Sequence, residues 1–377
     1  MPARTLATVD VPALSEAARA RIDTPALVVD LDRMEAAIAR MAGAMADRGV
    51  ALRPHAKTHK SVEVARRQID AGASGLTVGT IGEAEVFADG GIADLFIAYP
   101  LVPLGPKAAR LRTLAARTTL RVGVDSETGV RAVAKALDAD RDSVRVLIEI
   151  DSGGRRSGVA PDRAGAVARV ATDLGLAVVG VFTHGGHGYA GPAARIDAAD
   201  DEVRSLTEAA DALRAVGVEP LVVSAGSTPT AIASARDAVT EERPGTYVFG
   251  DRQQVALGAI ERDAVAAVVA TRVTSVNAGA RRFVVDAGAK TLGKDVATYM
   301  PGHGEIPELG GSVVARVADY HGIVDVDADS PVPEVGQVVM VVPNHICPVV
   351  NYVDAFLVAR GGEIVESWPV DARGRNG

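Results

Sequence analysis

The chain contains a single cysteine in 377 residues, Cys347. No internal disulfide can form, and the fold does not rely on an oxidising compartment. No run of about 18 uninterrupted apolar residues occurs, which removes a membrane-spanning helix from consideration. The N-terminus lacks the basic segment, apolar core and cleavage site of a secretory signal, so the expected location is the cytoplasm. Aromatic residues make up only 3% of the composition, and no basic tract is interleaved with them. With a formal net charge of -8 the surface offers no general attraction to nucleic acid. Small-molecule chemistry is what these absences leave, with neither nucleic acid nor membrane as a partner.

The composition, 48% hydrophobic and 23% charged, suits a large buried core divided between two domains. Strand-like runs alternate with helix-like stretches through the first 250 or so residues, the pattern of parallel βα units. After an initial pair (Leu27 to Val29, then Asp32 to Asp47), strands are expected at Val50 to Arg53, Gly75 to Val78, Asp94 to Ala98, Leu120 to Val124, Val144 to Ile150, Ala177 to Phe182, Leu221 to Ser224 and Val239 to Glu242. Eight such units fit a closed (β/α)8 barrel better than an open doubly wound sheet. Lys57, Thr80, Tyr99, Asp125, Arg156, His184, Ser227 and Tyr247 follow these strands and would share one rim. Beyond about Gly258 short alternating segments separated by Gly, Pro, Asn and Asp take over, as in antiparallel β structure. The expected division is a barrel over residues 24–255 and a β domain over 256–377, with residues 1–23 packed on the latter.

Several loops carry residues suited to chemistry. Lys57 sits within Arg53-Pro54-His55-Ala56-Lys57-Thr58-His59-Lys60. Burial and neighbouring positive charge both lower a lysine pKa, and a partly neutral amine can form an imine. Arg53, His55, His59 and Lys60 are expected to supply that charge; the alternative is a solvated basic loop. Ser224-Ala225-Gly226-Ser227-Thr228-Pro229-Thr230 and Arg243-Pro244-Gly245-Thr246-Tyr247 follow the last two barrel strands, where backbone N–H groups and hydroxyls can bind phosphate. Arg155 and Arg156 follow the fifth strand, and a guanidinium there could donate to a phenolate or carboxylate. His184 and His187 lie in a glycine-rich loop that fixes metal geometry poorly, so cofactor contacts are expected in place of ligation. In Pro343-Asn344-His345-Ile346-Cys347-Pro348, an extended backbone would turn His345 and Cys347 to one side, able to hold a metal with open positions. Sulfur favours zinc. The alternative there is a buried, inert cysteine beside a hydrogen-bonded histidine.

In order, RPHAKTHK (53–60), GTIGEAEVFADGG (79–91), THGGHGY (183–189), SAGSTPT (224–230), RPGTY (243–247) and PNHIC (343–347) resemble the fold-type III pyridoxal-phosphate enzymes, the alanine racemase-like group. The closer likeness is to its metal-dependent branch of D-threonine aldolases and D-serine dehydratases. It extends from about Thr24 to Gly374. The resemblance implies that Lys57 bears the Schiff base, that Arg156 meets the phenolic oxygen, and that His184 and Tyr189 approach the cofactor. It further implies that Gly226, Ser227, Thr228, Gly245 and Thr246 hold its phosphate and that Arg243 faces the pyridine. His345 and Cys347 correspond to the metal pair, with zinc favoured and manganese or magnesium as alternatives.

The implied assembly is a homodimer, with the active site near the domain interface. The implied reaction is a lyase acting on D-β-hydroxy-α-amino acids. Loss of the β-hydroxyl gives a keto acid and ammonia, as for D-serine or D-threo-3-hydroxyaspartate; retro-aldol cleavage to glycine and an aldehyde would use His59 or a metal-bound water as base. Cysteine in H-x-C tilts toward dehydration, because aldolases tend to carry aspartate there. Racemisation is disfavoured, since no G-Y-x-D-G-like stretch follows residue 258. A non-catalytic cofactor carrier would not need the second domain.

Overall fold

The computed structural model describes residues 9–377. After β1 (Ala26–Asp30), eight strands form one all-parallel sheet: β2 (Ala51–Leu52), β3 (Leu76–Val78), β4 (Asp94–Pro100), β5 (Thr119–Val124), β6 (Val144–Ile150), β7 (Ala177–Thr183), β8 (Val222–Ala225) and β9 (Glu241–Glu242). The order 2-9-8-7-6-5-4-3 closes through the segment after β2, where Thr77 N–H donates to the Pro54 carbonyl and Ala56 N–H to the Thr77 carbonyl, each at 2.8 Å. This is the expected (β/α)8 barrel. Parallel neighbours need crossover helices, and the connecting helices are amphipathic. The helix Glu127–Leu137 is typical: Ser126 caps it by accepting from Gly129 N–H, while Val130, Val133 and Leu137 are buried.

The barrel interior is layered. Asp94 and Glu241 begin β4 and β9, and with Arg53 and Arg121 they form a buried ionic layer toward the N-terminal ends of the strands. Phe96, Leu147 and Phe182 form an apolar layer, with Phe96 and Phe182 edge to face at 5.1 Å.

Among the described residues, the second unit comprises 9–39, Thr58–Ser61 and Thr246–Arg373. Its strands are β10 (Ala267–Asn277), β11 (Arg282–Val285), β12 (Gly304–Ile306), β13 (Ser312–Val317), β14 (Gly322–Asp325), β15 (Val338–Pro343), β16 (Ala355–Arg360) and β17 (Glu363–Pro369). Together with β1 they form a nine-stranded sheet in the order 11-14-13-12-15-10-1-16-17, with β10 also paired to β11. Pairing is antiparallel except between β1 and β16.

The division differs from the 24–255 boundary read from the pattern. β1 pairs with β10 (Ala26 opposite Ala270), so it belongs to the second sheet although it precedes the barrel. An apolar strand followed by a helix carries no mark of which sheet it will join. Val9, Leu14, Ala18 and Ile22 pack in one cluster with Val28, Val268, Ala270, Met340 and Val342. The earlier part of the 1–23 assignment, residues 1–8, lies outside the described residues. Among the described residues no helix is long and apolar enough to cross a membrane.

Candidate active site

Lys57 lies in the turn that follows β2 and is exposed. Of the cations expected around it, His55 stays close, its Nδ1 3.4 Å from the Lys57 backbone N, while the other three turn elsewhere. Arg53 runs into the barrel, where its Nε donates to Glu241 at 2.7 Å and its Nη1 to Asp94 at 2.8 Å. Lys60 Nζ donates to Asn351 at 2.8 Å in the second unit. The His59 ring is wholly buried, with Nδ1 3.0 Å from the Ser61 carbonyl. The physical reason is that a guanidinium with two carboxylates within reach is more stable paired in the interior than crowded against like charge.

Groups from later loops approach Lys57 instead. His184, the first residue after β7, is pushed down to about 3, chiefly by burial and then by the charges of Lys57, Arg156 and Arg243, against a hydrogen bond with the Gly226 backbone. It is therefore neutral near pH 7. Tyr189 stacks obliquely beside it, ring centres 6.3 Å apart. Arg156 is mostly exposed, 3.7 Å from Glu149. A cavity of about 240 Å³ is lined by Glu149, Asp151, Gly154, Arg156, Ser157 and His184, among others.

The phosphate-type turn after β8 is tightly built. Glu202, from the helix Ala194–Arg214, accepts from Gly185 N–H at 2.8 Å and Gly226 N–H at 3.1 Å, tying the loops after β7 and β8 together. Gly226 has φ +115°, and a Cβ there would lie 2.1 Å from Glu242 Oε2 and 2.9 Å from Arg243 N. Only glycine fits that approach. Ser227 N–H donates to Thr230 Oγ1 at 3.2 Å, and the two hydroxyls lie 2.9 Å apart. Thr228 is buried in the same turn. Gly245 belongs to the barrel unit and Thr246 to the second one.

Arg243 is turned into the barrel. It donates to Ser224 Oγ at 2.5 Å and to the Thr183 carbonyl, with its guanidinium 5.3 Å from the Phe182 ring centre. Three carboxylates that the motifs do not single out surround this region. Burial raises Glu149, whose Oε1 accepts from Ser157 at 2.9 Å while Oε2 has no partner. Burial also raises Glu202 and, more strongly, Glu242, which the neighbouring Glu202 charge raises further. Two carboxyl groups so placed cannot both ionise easily, and charge on one disfavours charge on the other. No sequence signal marks Glu202, one acid among many on a long helix.

His345 and Cys347 come together differently from the extended arrangement. β15 stops at Pro343, His345 is the N-cap of the helix Ile346–Tyr352 with φ −138° and ψ 113°, and Cys347 stands in its first turn. The missing extension follows from helix initiation at Ile346, where Asp251 Oδ2 accepts the backbone N–H at 3.1 Å. Burial opposes charge on His345, but its hydrogen bond to Cys347, the charges of Cys347 and Asp251 and the bond to Asp295 raise it to about 10. His345 Nδ1 lies 2.6 Å from Asp295 Oδ2, the carboxylate–histidine pairing that leaves Nε2 for a metal. Cys347 Sγ lies 3.3 Å from Thr58 Oγ1, and Thr58 follows Lys57 in the chain.

Among the described residues no cluster of three or more His, Cys, Asp or Glu side chains forms a metal site. The donor set of one imidazole and one thiolate, oriented by a carboxylate, fits a soft or borderline divalent ion with open positions. The lysine, the Gly226 turn and the Arg156 cavity fit pyridoxal phosphate. Asp295, Asp251 and Thr58 escape sequence reading because none lies within the H-x-C motif.

Residues 29–253 match the alanine racemase N-terminal domain, and residues 266–359 the putative serine dehydratase domain. The chain is 37% identical to D-threo-3-hydroxyaspartate dehydratase of Delftia sp. (strain HT23), over 92% of this chain and 97% of that protein. It is 34% identical to D-threonine aldolase of Arthrobacter sp., over 94% of each. The solved Delftia dehydratase superposes with a TM-score of 0.86 at 36% identity, covering 93% of this chain and 98% of that one. A cysteine-to-alanine mutant of that dehydratase is described as metal-free. The chain thus belongs to the fold-type III, alanine racemase-like family of pyridoxal-phosphate enzymes, in the group that contains these dehydratases and aldolases.

Proposed function

We propose that the protein is a pyridoxal-phosphate- and divalent-metal-dependent dehydratase of D-3-hydroxy amino acids, releasing a 2-keto acid and ammonia. The observation that carries this reading is the His345–Cys347 pair, oriented by Asp295 and built for an ion with open positions. Pyridoxal phosphate supplies an electron sink for charge developing at Cα, and the ion a Lewis acid for the departing β-oxygen.

The chain's own residues do the rest. Lys57 would hold the cofactor covalently, and its amine would serve as the base for the Cα proton. Arg156, near Glu149, would donate to the phenolic oxygen. Neutral His184 and Tyr189 would approach the ring, Gly226, Ser227, Thr228, Gly245 and Thr246 would hold the phosphate, and Arg243 would face the pyridine. His345 and Cys347, as imidazole and thiolate, hold the ion, with zinc favoured.

The retro-aldol alternative needs a base for the hydroxyl proton. Two bases are expected for that role, His59 and a metal-bound water; the complete burial of His59 beside the Ser61 carbonyl counts against the first. A cytoplasmic homodimer is part of the same reading.

The test is to incubate the loaded enzyme with D-threo-3-hydroxyaspartate, D-serine and D-threonine, measuring keto acid and ammonia against glycine and aldehyde. Keto acid that disappears on chelation and returns with zinc is expected, as is loss of turnover and visible absorbance in Lys57→Ala. Glycine as the main product would overturn dehydration, and turnover untouched by chelation would overturn the metal's role.

A further inference from the structure

A cavity of about 370 Å³ opens beside the metal-ligand turn of the second unit, lined by Gln253, Lys294, Asp295, Met300, Asn344 and His345, among others. Its wall is firmly built. Asn344 Nδ2 donates to the carbonyls of Asp295 at 3.0 Å and Gly302 at 2.7 Å, Arg252 donates to the Pro301 carbonyl at 2.6 Å, and Gln253 Nε2 donates to the Tyr299 hydroxyl at 3.1 Å. These bonds fix the segment 295–302 against the residues that carry His345. Of the two acid–base neighbours at its mouth, Asp295 is committed to His345 Nδ1. Lys294 is the one lysine or arginine in the lining. Its charge is felt nearby, since His303 is lowered by burial and then by Lys294.

We propose that Lys294 receives the distal carboxylate of a dicarboxylic D-3-hydroxy amino acid and so sets a preference for 3-hydroxyaspartate-type substrates over serine- and threonine-type ones. This rests on the reading above, in which the β-oxygen binds at the ion on His345 and Cys347. The carbon bearing that oxygen also bears the substituent that distinguishes the substrates: hydrogen in serine, methyl in threonine, carboxylate in 3-hydroxyaspartate. With the oxygen held at His345, the substituent falls within reach of the adjacent cavity. Only a carboxylate gains from an ammonium there, and a lysine meets it as a mobile point charge without fixing its orientation.

Lys294→Met and Lys294→Glu are compared with the wild type, loaded with cofactor and zinc, on D-threo-3-hydroxyaspartate and D-serine. A charge-assisted hydrogen bond of ordinary strength corresponds to about 10- to 100-fold in kcat/KM. The hydroxyaspartate-to-serine ratio of kcat/KM should fall by about that factor in Lys294→Met, mainly through KM, and further in Lys294→Glu. The inhibition constant of succinate against D-serine turnover should rise with it. An unchanged ratio overturns the inference and leaves the dehydratase reading standing. A wild type that makes keto acid from neither substrate, but glycine from both, overturns the dehydratase reading, and the cleavage rates then test Lys294 by the same ratio. A wild type inert toward both substrates overturns the two together. Melting temperatures of the variants, altered in an exposed loop, serve to confirm that folding is retained.

Discussion

Replacing Arg53 with alanine separates two accounts of the segment that leads into Lys57. If Arg53 served to lower the lysine pKa, Arg53→Ala would disturb imine formation and leave the fold intact. The structure assigns the opposite. The Arg53 side chain is 1% exposed and pairs with Glu241 and Asp94. The guanidinium fills space that a side chain at Gly75 would need, a Cβ there falling 2.2 Å from Nη1. Removing one partner of a buried pair costs about 3–5 kcal/mol, because the other charge is left uncompensated. Glu241 would keep Arg121 at 2.9 Å and Ser224 at 2.7 Å, and Asp94 is partly solvated, so the lower end of about 3 kcal/mol is expected. Thermal and urea unfolding of the holoenzyme measure the loss, and a pH titration of the visible absorbance reports on the imine. The expected result is a clear drop in stability with the imine titration in place. A variant as stable as the wild type, with a shifted imine titration, would refute the buried-pair assignment.

Two further perturbations address the two centres separately. Gly226→Ala must hold a non-glycine residue at φ +115° with its Cβ 2.1 Å from Glu242 Oε2, so spectrophotometric titration should show cofactor binding weakened by at least about tenfold, and wild-type affinity would refute the turn's role. Asp295→Asn removes the carboxylate that orients His345, and chelator competition should show metal affinity about 10- to 100-fold weaker; unaltered affinity would dismiss Asp295 as a supporting partner.

Legibility followed range of interaction. The longer barrel strands are visible as apolar runs because most of their residues are buried, as in β6 (Val144–Ile150), whereas β9 is two buried glutamates and is marked only by Val239 before it. β1 carries the same local pattern and was grouped with the barrel, because what places it elsewhere is pairing with a strand some 240 residues later, Ala26 with Ala270. His184, Tyr189, Gly226 and Ser227 are singled out by their place in the loops after β7 and β8, and the structure puts them in those loops. The charge around Lys57 is only partly legible. Proximity in sequence places Arg53 beside it, whereas two carboxylates distant in the chain, Asp94 and Glu241, draw the guanidinium into the barrel.

The buried carboxylates alter what the phosphate turn can be. A glycine at such a turn is ordinarily valued for an N–H that an anion can reach, yet the Gly226 N–H is already donated to Glu202 at 3.1 Å. Its contribution is therefore space: the missing Cβ lets the Glu242 carboxyl come up beneath the turn. Two acids at this depth would repel a phosphate dianion if both were charged. Burial opposes charge on both, and the Arg243 guanidinium, held by Ser224 and the Thr183 carbonyl, lies close enough to lower both Glu202 and Glu242. Two acids that resist ionisation and one buried cation beside them limit the negative charge beneath the turn, which is what an anion held by the proposed 227–228 donors would need.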